Sequence, residues 1–310
     1  MLRQSLWAIA AAACFSAMAA CVKFCNGTFG SLELVFYRSA FTTVFILCLC
    51  VAKGCSLKTQ YPFLHLKRDF YGFASVAIWF FTLGKLPLGT NITLTYCTPL
   101  FLAANFIILS RIQKRSAPWG SIGAIALGFL GIVLLVRPNF SESEFIACLL
   151  CLSVALIDLF GYWQLRFLGR VKEPSQRVVF YFAFTSMIGA ALGVLLFTDG
   201  FHKPTLDNCI PLALMGLFAT GGMLAATRAW MGGNMLLAAC LGFSAIPFSE
   251  LIGIVLFGNI PSLLSILGMI CVCIAGMFAT VFTKREEKLL NEAAEKSASA
   301  QSEKKFQPNN

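Results

Sequence analysis

The chain has 310 residues, 58% of them apolar and only 12% charged, with a mean hydropathy of +0.79 and a formal net charge of +10. A soluble domain carries about 25% charged residues, so this balance excludes an ordinary water-soluble fold and points to a polytopic membrane protein. The basic residues gather in short segments between apolar stretches. They therefore read as a topology and lipid-headgroup signal, and no nucleic-acid partner is expected.

Ten apolar stretches are predicted as membrane-spanning helices, near residues 6–25, 32–52, 70–86, 90–110, 118–136, 145–165, 178–198, 209–228, 234–257 and 262–282. Turn chemistry separates them, as at Asn26-Gly27, Pro87-Leu88-Gly89, Arg137-Pro138-Asn139 and Gly232-Gly233. The first, with Arg3 ahead of it and Met18-Ala19-Ala20-Cys21 inside it, has the outline of a secretory leader. Its apolar run continues past the small residues, so it is expected to stay attached as a helix. The second span carries Arg38 and the third Trp79. The fourth carries Asn91, Thr95 and Tyr96 ahead of Pro99, with Asn105 deeper. Asp158 lies in the sixth span, Trp230 follows the eighth, and Pro247 and Glu250 lie in the ninth. After Lys284 the chain turns polar, rich in Glu, Lys, Ala and Ser, and a partly disordered tail over 284–310 is expected.

The ten stretches divide into two related sets of five. Pro99 precedes Leu109-Ser110-Arg111-Ile112 at the separation by which Pro247 precedes Phe257-Gly258-Asn259-Ile260, and Gly120 and Gly128 match Gly268 and Gly276 at that same offset. A weaker echo joins Val35-Phe36-Tyr37 to Val179-Phe180-Tyr181. Five is odd, so the second set crosses the membrane in the opposite sense, the inverted-repeat plan of many secondary transporters. The fold class expected is all-α, with ten transmembrane helices as two inverted five-helix repeats over 1–140 and 141–283. Most of the 24 lysines and arginines fall on one side if the N-terminus is cytoplasmic, which places both termini in the cytoplasm of a bacterial-type inner membrane.

Glycine marks close helix packing in lipid. Gly120, Gly123, Gly128 and Gly131 line the fifth span, Gly189 and Gly193 the seventh, and Gly268 and Gly276 the tenth. The uncharged fifth and tenth spans are assigned a structural role or a homodimer contact, which leaves the other eight to enclose a pathway. Ionisable residues inside a span are functional candidates. Arg38 and Glu250 share roughly one depth, which suggests an ion pair or a joint site for a zwitterionic solute, while Asp158 supplies a second acceptor or a proton site. Asn91, Thr95, Tyr96 and Trp79 are candidates to bind polar and planar substrate groups, with Pro99 and Pro247 as gating kinks. Trp7, Trp119 and Trp230 fit an interfacial belt. Most of the 13 cysteines sit within spans as small apolar residues, so no metal site and no disulfide framework is assigned, and Cys55 and Cys209 are the exposed ones.

Glu33-Leu34-Val35-Phe36-Tyr37-Arg38, Leu86-Pro87-Leu88-Gly89-Thr90, Thr98-Pro99-Leu100-Phe101 and Phe243-Ser244-Ala245-Ile246, in this order and spacing, resemble the EamA-type branch of the drug/metabolite transporter superfamily. The resemblance runs from Ser5 to Thr283 and implies ten helices, a central substrate site and alternating access. The chain departs from the family at Arg111 and Asn259, where a Leu-Gly-Glu glutamate is usual, and at Ala19, where related carriers often have an acidic residue. Phe15-Ser16-Ala17-Met18 and the surroundings of Asp158 are similar to carriers of S-adenosylmethionine or riboflavin.

No G-x-S-x-G, H-E-x-x-H or ATP-binding motif occurs, so a non-enzyme without cofactor is expected. The reading is a secondary carrier of a small organic metabolite, surrounded by membrane lipids and coupled to a proton or solute gradient. A non-transporting membrane scaffold or sensor is the alternative.

Overall fold

The computed structural model describes residues 6–98, 100–101, 104, 108, 119–135, 141–198, 200–232, 238, 241–279, 281–282 and 285. Among them ten helices follow in order: α1 Trp7–Cys25, α2 Ser31–Lys53, α3 Pro62–Leu83, α4 Leu88–Thr95, α5 Trp119–Leu135, α6 Glu142–Arg170, α7 Ser175–Phe197, α8 Leu206–Gly232, α9 Ala245–Phe257 and α10 Leu263–Ala279. The fold is all-α, and α1, α2, α6, α7 and most of α8 are each long and apolar enough to cross a bilayer alone. The outer surface is strongly apolar, with Val51, Leu196, Val255 and Leu263 among its most exposed residues. Such a surface suits a hydrocarbon solvent and would aggregate in water. Pro99, Asn105, the Leu109–Ile112 motif and nearly all of the 284–310 tail lie outside the described residues.

Local chemistry sets the helix ends. Ser141 caps α6 by accepting from the Glu144 backbone N–H, and the Glu144 carboxylate accepts from the Ser141 N–H at 2.8 Å. Gly54 and Gly258 close α2 and α9 with φ of 64° and 63°, a left-handed conformation that costs glycine little. Pro62 opens α3 at a position where its missing N–H is not needed. As a result α3 begins eight residues before the predicted span, and takes in residues that charge counting had assigned to a loop.

The helices pair in a pattern that survives exchanging the first five for the second five. α1 packs on α8 as its counterpart α6 packs on α3; α9 packs on α1 as α4 packs on α6; and α2–α7 and α4–α9 are pairs between counterparts. The break in the fourth and ninth spans is likewise shared. The chain turns at Tyr96–Cys97 and again at Phe243–Ser244, in each case just before the proline of the repeat. Pro247 thereby falls in the first turn of α9, where the N–H that proline lacks is not needed for a helical hydrogen bond. Hydrogen bonds tie both breaks to neighbouring helices: Thr98, at the first break, donates to the Ala155 carbonyl of α6 at 3.0 Å, and Ser16 of α1 donates to the Ala245 carbonyl at the second at 3.1 Å.

α2 and α7 are clasped at both ends. Tyr37 of α2 donates to the His202 carbonyl beyond α7 at 2.9 Å, and Glu33, fully enclosed, holds the His202 ring at 2.8 Å. At the other end Tyr181 of α7 donates to the Leu57 carbonyl beyond α2 at 3.0 Å. Arg177 donates to the Ser56 carbonyl at 2.8 Å and to Glu173 at 2.7 Å, and Thr59 donates to Glu173 at 2.7 Å. The two tyrosines are the pair linked by the weaker sequence echo.

Gly120, Gly128 and Gly131 of the fifth span pack against other parts of the chain. A Cβ at Gly131 would meet the Gly268 carbonyl at 2.8 Å and the Val272 nitrogen at 2.9 Å, so α5 and α10 touch backbone to backbone. Gly189 and Gly193 of α7 likewise meet Phe73 and Leu32, whereas Gly123 faces open space. Gly131→Ala is therefore expected to lower stability by about 1–3 kcal/mol through overpacking. Gly123→Ala should be neutral or slightly stabilising; thermal unfolding of both variants in detergent distinguishes them.

Candidate functional site

Eight helical segments surround a cavity of about 220 Å³. Its walls come from α1, α2, α3, α6, α7 and α8 and from the broken fourth and ninth spans, with nothing from α5 or α10. Each helix contributes at helical spacing: Ala8, Ala11 and Phe15 on α1; Arg68, Gly72, Ser75 and Trp79 on α3; Val154, Asp158 and Tyr162 on α6; Met223, Thr227 and Trp230 on α8. The cavity therefore occupies the half of the bundle next to the start of α1. On its far side lies an apolar core in which Met18, Val22, Phe29, Leu34, Leu83, Leu86 and Leu88 are fully enclosed, and which separates it from the opposite end of the bundle.

Five of the sequence-predicted residues meet at this cavity: Asp158, Arg38, Thr95, Tyr96 and Trp79. Asp158 accepts from the Ser75 hydroxyl at 2.5 Å across the α3–α6 contact. Arg38 is 2% exposed, and its guanidinium lies 5.7 Å from the Phe80 ring centre and 5.6 Å from that of Phe182. Arg68 lies over the same Phe182 ring at 3.8 Å and within 3.8 Å of the Asp69 carboxylate. Two guanidiniums thus share one aromatic ring, and Asp158 is the carboxylate on the cavity wall. Thr95 directs its hydroxyl back to the Asn91 carbonyl at 2.9 Å.

Asn91 supports the site from behind. Completely buried and absent from the wall, it accepts from the Trp79 indole N–H at 2.8 Å and donates to the Thr82 hydroxyl at 2.9 Å and the Cys151 sulfur at 3.3 Å. Both amide hydrogens are spent on joining α4 to α3 and α6, and its oxygen holds the Trp79 ring, so it acts from behind the wall and not as part of it.

The expected Arg38–Glu250 pair does not form. Glu250 borders a second cavity of about 370 Å³, with Thr90, Glu144, Asn259 and Ser265. Its carboxylate lies against Gly89, where any Cβ would collide with it. Equal depth along two helices says nothing about rotation around their axes: Arg38 turns toward the α3–α7 side and Glu250 toward the first turn of α4.

Sequence reasoning missed Arg68, Ser75, Tyr162 and Phe182, and placed Trp230 at the membrane interface. Trp230 instead lines the cavity with its ring stacked on Tyr162, centroids 4.2 Å apart and 13° from parallel. The signal for α3 was present. His65, Asp69, Gly72, Ser75, Trp79 and Thr82 recur every three or four residues, an internal polar stripe on one helix face. Counting Arg68 as a loop charge concealed it.

Asn91→Leu is expected to leave the Trp79 indole unpaired and to destabilise the protein by about 1–3 kcal/mol. A lower unfolding temperature in detergent together with altered tryptophan emission would register both effects.

Residues 2–137 match the EamA-like transporter family. The chain is 25% identical over 271 residues to the pseudopaline exporter CntI of Pseudomonas aeruginosa, covering 87% of this chain and 93% of that one. It is also 25% identical over 206 residues to the S-adenosylmethionine uptake transporter of Rickettsia bellii, covering 65% of this chain and 66% of that protein. A solved crystal structure shares the fold at a TM-score of 0.64 and 18% identity, over 92% of this chain and 98% of the other. A helical bundle with an apolar exterior, the repeat-related pairing of its helices and these relatives lead to one conclusion: the chain is a multi-pass membrane transporter that carries an EamA-like transporter unit over residues 2–137.

Proposed function

We propose that the protein is a secondary carrier that moves a small organic metabolite by alternating access, with the cavity between the two five-helix repeats, 1–140 and 141–283, as its cargo site. The observation that carries this reading is the asymmetry of one polar chamber. Charged and aromatic side chains from both repeats line it beside the start of α1, while apolar side chains seal it on the far side. A carrier must expose such a chamber to one face at a time, and the shared breaks near Pro99 and Pro247 supply the points where half-helices can tilt. In the same reading both termini are cytoplasmic in a bacterial inner membrane, so the chamber faces the cytoplasm.

Energy for net movement comes from a solute or proton gradient. Asp158 is the group for that coupling, because it is the carboxylate on the chamber wall.

Reconstituted vesicles holding an unlabelled mixture of amino acids and S-adenosylmethionine provide the test, through exchange with labelled counterparts outside. Wild-type protein is expected to catalyse saturable exchange, and Asp158→Asn to reduce it at least about ten-fold, the scale of one lost charged contact. Full exchange by Asp158→Asn at every pH would remove Asp158 from the mechanism, and an absence of exchange for the whole mixture would count against a carrier.

A further inference from the structure

Three features of the chamber place different chemistry at different points on its wall. The first is the pair of arginines. Arg38 is enclosed, yet among the described residues its Nε and Nη2 have no hydrogen-bond acceptor, and Nε and Nη1 of Arg68 have none either. The nearest carboxylate to Arg68, that of Asp69, stays at 3.8 Å, outside hydrogen-bond range. A guanidinium buried among helices is costly unless an anion meets it, and its planar fork matches a carboxylate.

The second feature is Asp158. Among the described residues its hydrogen bond is the one Ser75 gives to Oδ1, so the carboxylate retains capacity to accept from the chamber. The third is aromatic. Trp230 is half-buried and stacked on Tyr162, and Trp79 is held in place through Asn91, with Tyr96 also on the wall. Aromatic faces beside a carboxylate favour both a cationic centre and a flat ring.

Resting on the reading of this chamber as the cargo site, we propose that its cargo is a zwitterion with a planar ring. The carboxylate of the cargo is gripped by Arg38 and Arg68 at Phe182, its cationic centre by Asp158, and its ring by the Trp230–Tyr162 platform. A cargo with a cation but no carboxylate would leave the buried Arg38 guanidinium without an anion and Arg68 with the distant Asp69 carboxylate alone. One with a carboxylate but no cation would place its own charge near Asp158 without compensation.

Matched probes test this on purified, full-length wild-type protein. Thermal stabilisation and equilibrium binding are measured with L-tryptophan, tryptamine and indole-3-propionate, and with S-adenosylmethionine and its decarboxylated form. At least one zwitterion is expected to bind about ten-fold or more tightly than each of its truncated analogues, the usual scale of one charge-assisted contact. Arg38→Gln and Arg68→Gln should erase its advantage over the amine-only analogue, and Asp158→Asn its advantage over the acid-only one. Arg38→Lys, which keeps the charge while losing the fork, should bind between wild type and Arg38→Gln. Equal binding of truncated and intact probes, no binding of either zwitterion, or full discrimination by Arg38→Gln overturns the proposal. Its failure is separable from that of the carrier reading: zwitterion binding without vesicle exchange defeats the carrier alone, whereas exchange of a solute lacking a carboxylate defeats the zwitterion site alone.

Discussion

Charge in hydrocarbon is the constraint from which this architecture follows. Arg38, Arg68 and Asp158 have no stable place on a lipid-facing surface, so every helix that carries one must turn it inward and be screened by neighbours. Eight helical segments are needed to close that screen around a chamber of about 220 Å³, while α5 and α10 pack outside it through Gly131 and Gly268. Phe182 offers its ring to both guanidiniums, which eases their confinement within the bundle. The polar interior and the apolar exterior are two results of the same solvation requirement.

Much of the fold was readable before any coordinates because membrane helices advertise themselves by composition. The expectation that α5 and α10 take a structural or dimer-facing role rested on the lack of charge in those spans, which end the two repeats; among the described residues neither lines the chamber. Asp158 and Arg38 were legible for the complementary reason, that an ionisable residue in an apolar span needs an interior to face.

Rotation about a helix axis was far harder to read. Asn91 looks like a substrate group from its residue type, but three neighbours consume its amide. Glu250 matches Arg38 in depth, yet its carboxylate turns to Gly89. The start of α3 defeated the hydropathy pattern for a related reason. His65, Arg68 and Asp69 lower the local hydropathy, but inside a bundle they face other helices, and length alone did not reveal that α3 begins at Pro62. In each case the deciding fact was which neighbour a side chain meets, and one sequence carries little of that.

The double clasp of α2 and α7 bears on how such a bundle is able to rearrange. Each helix uses a tyrosine near its own start to grip the segment that follows its partner, so the two are anchored head to tail at both membrane faces. Sliding one past the other, or splaying them about a central crossing point, would strain both anchors at once. While both clasps hold, α2 and α7 keep their register and crossing angle, and the pair moves as one unit.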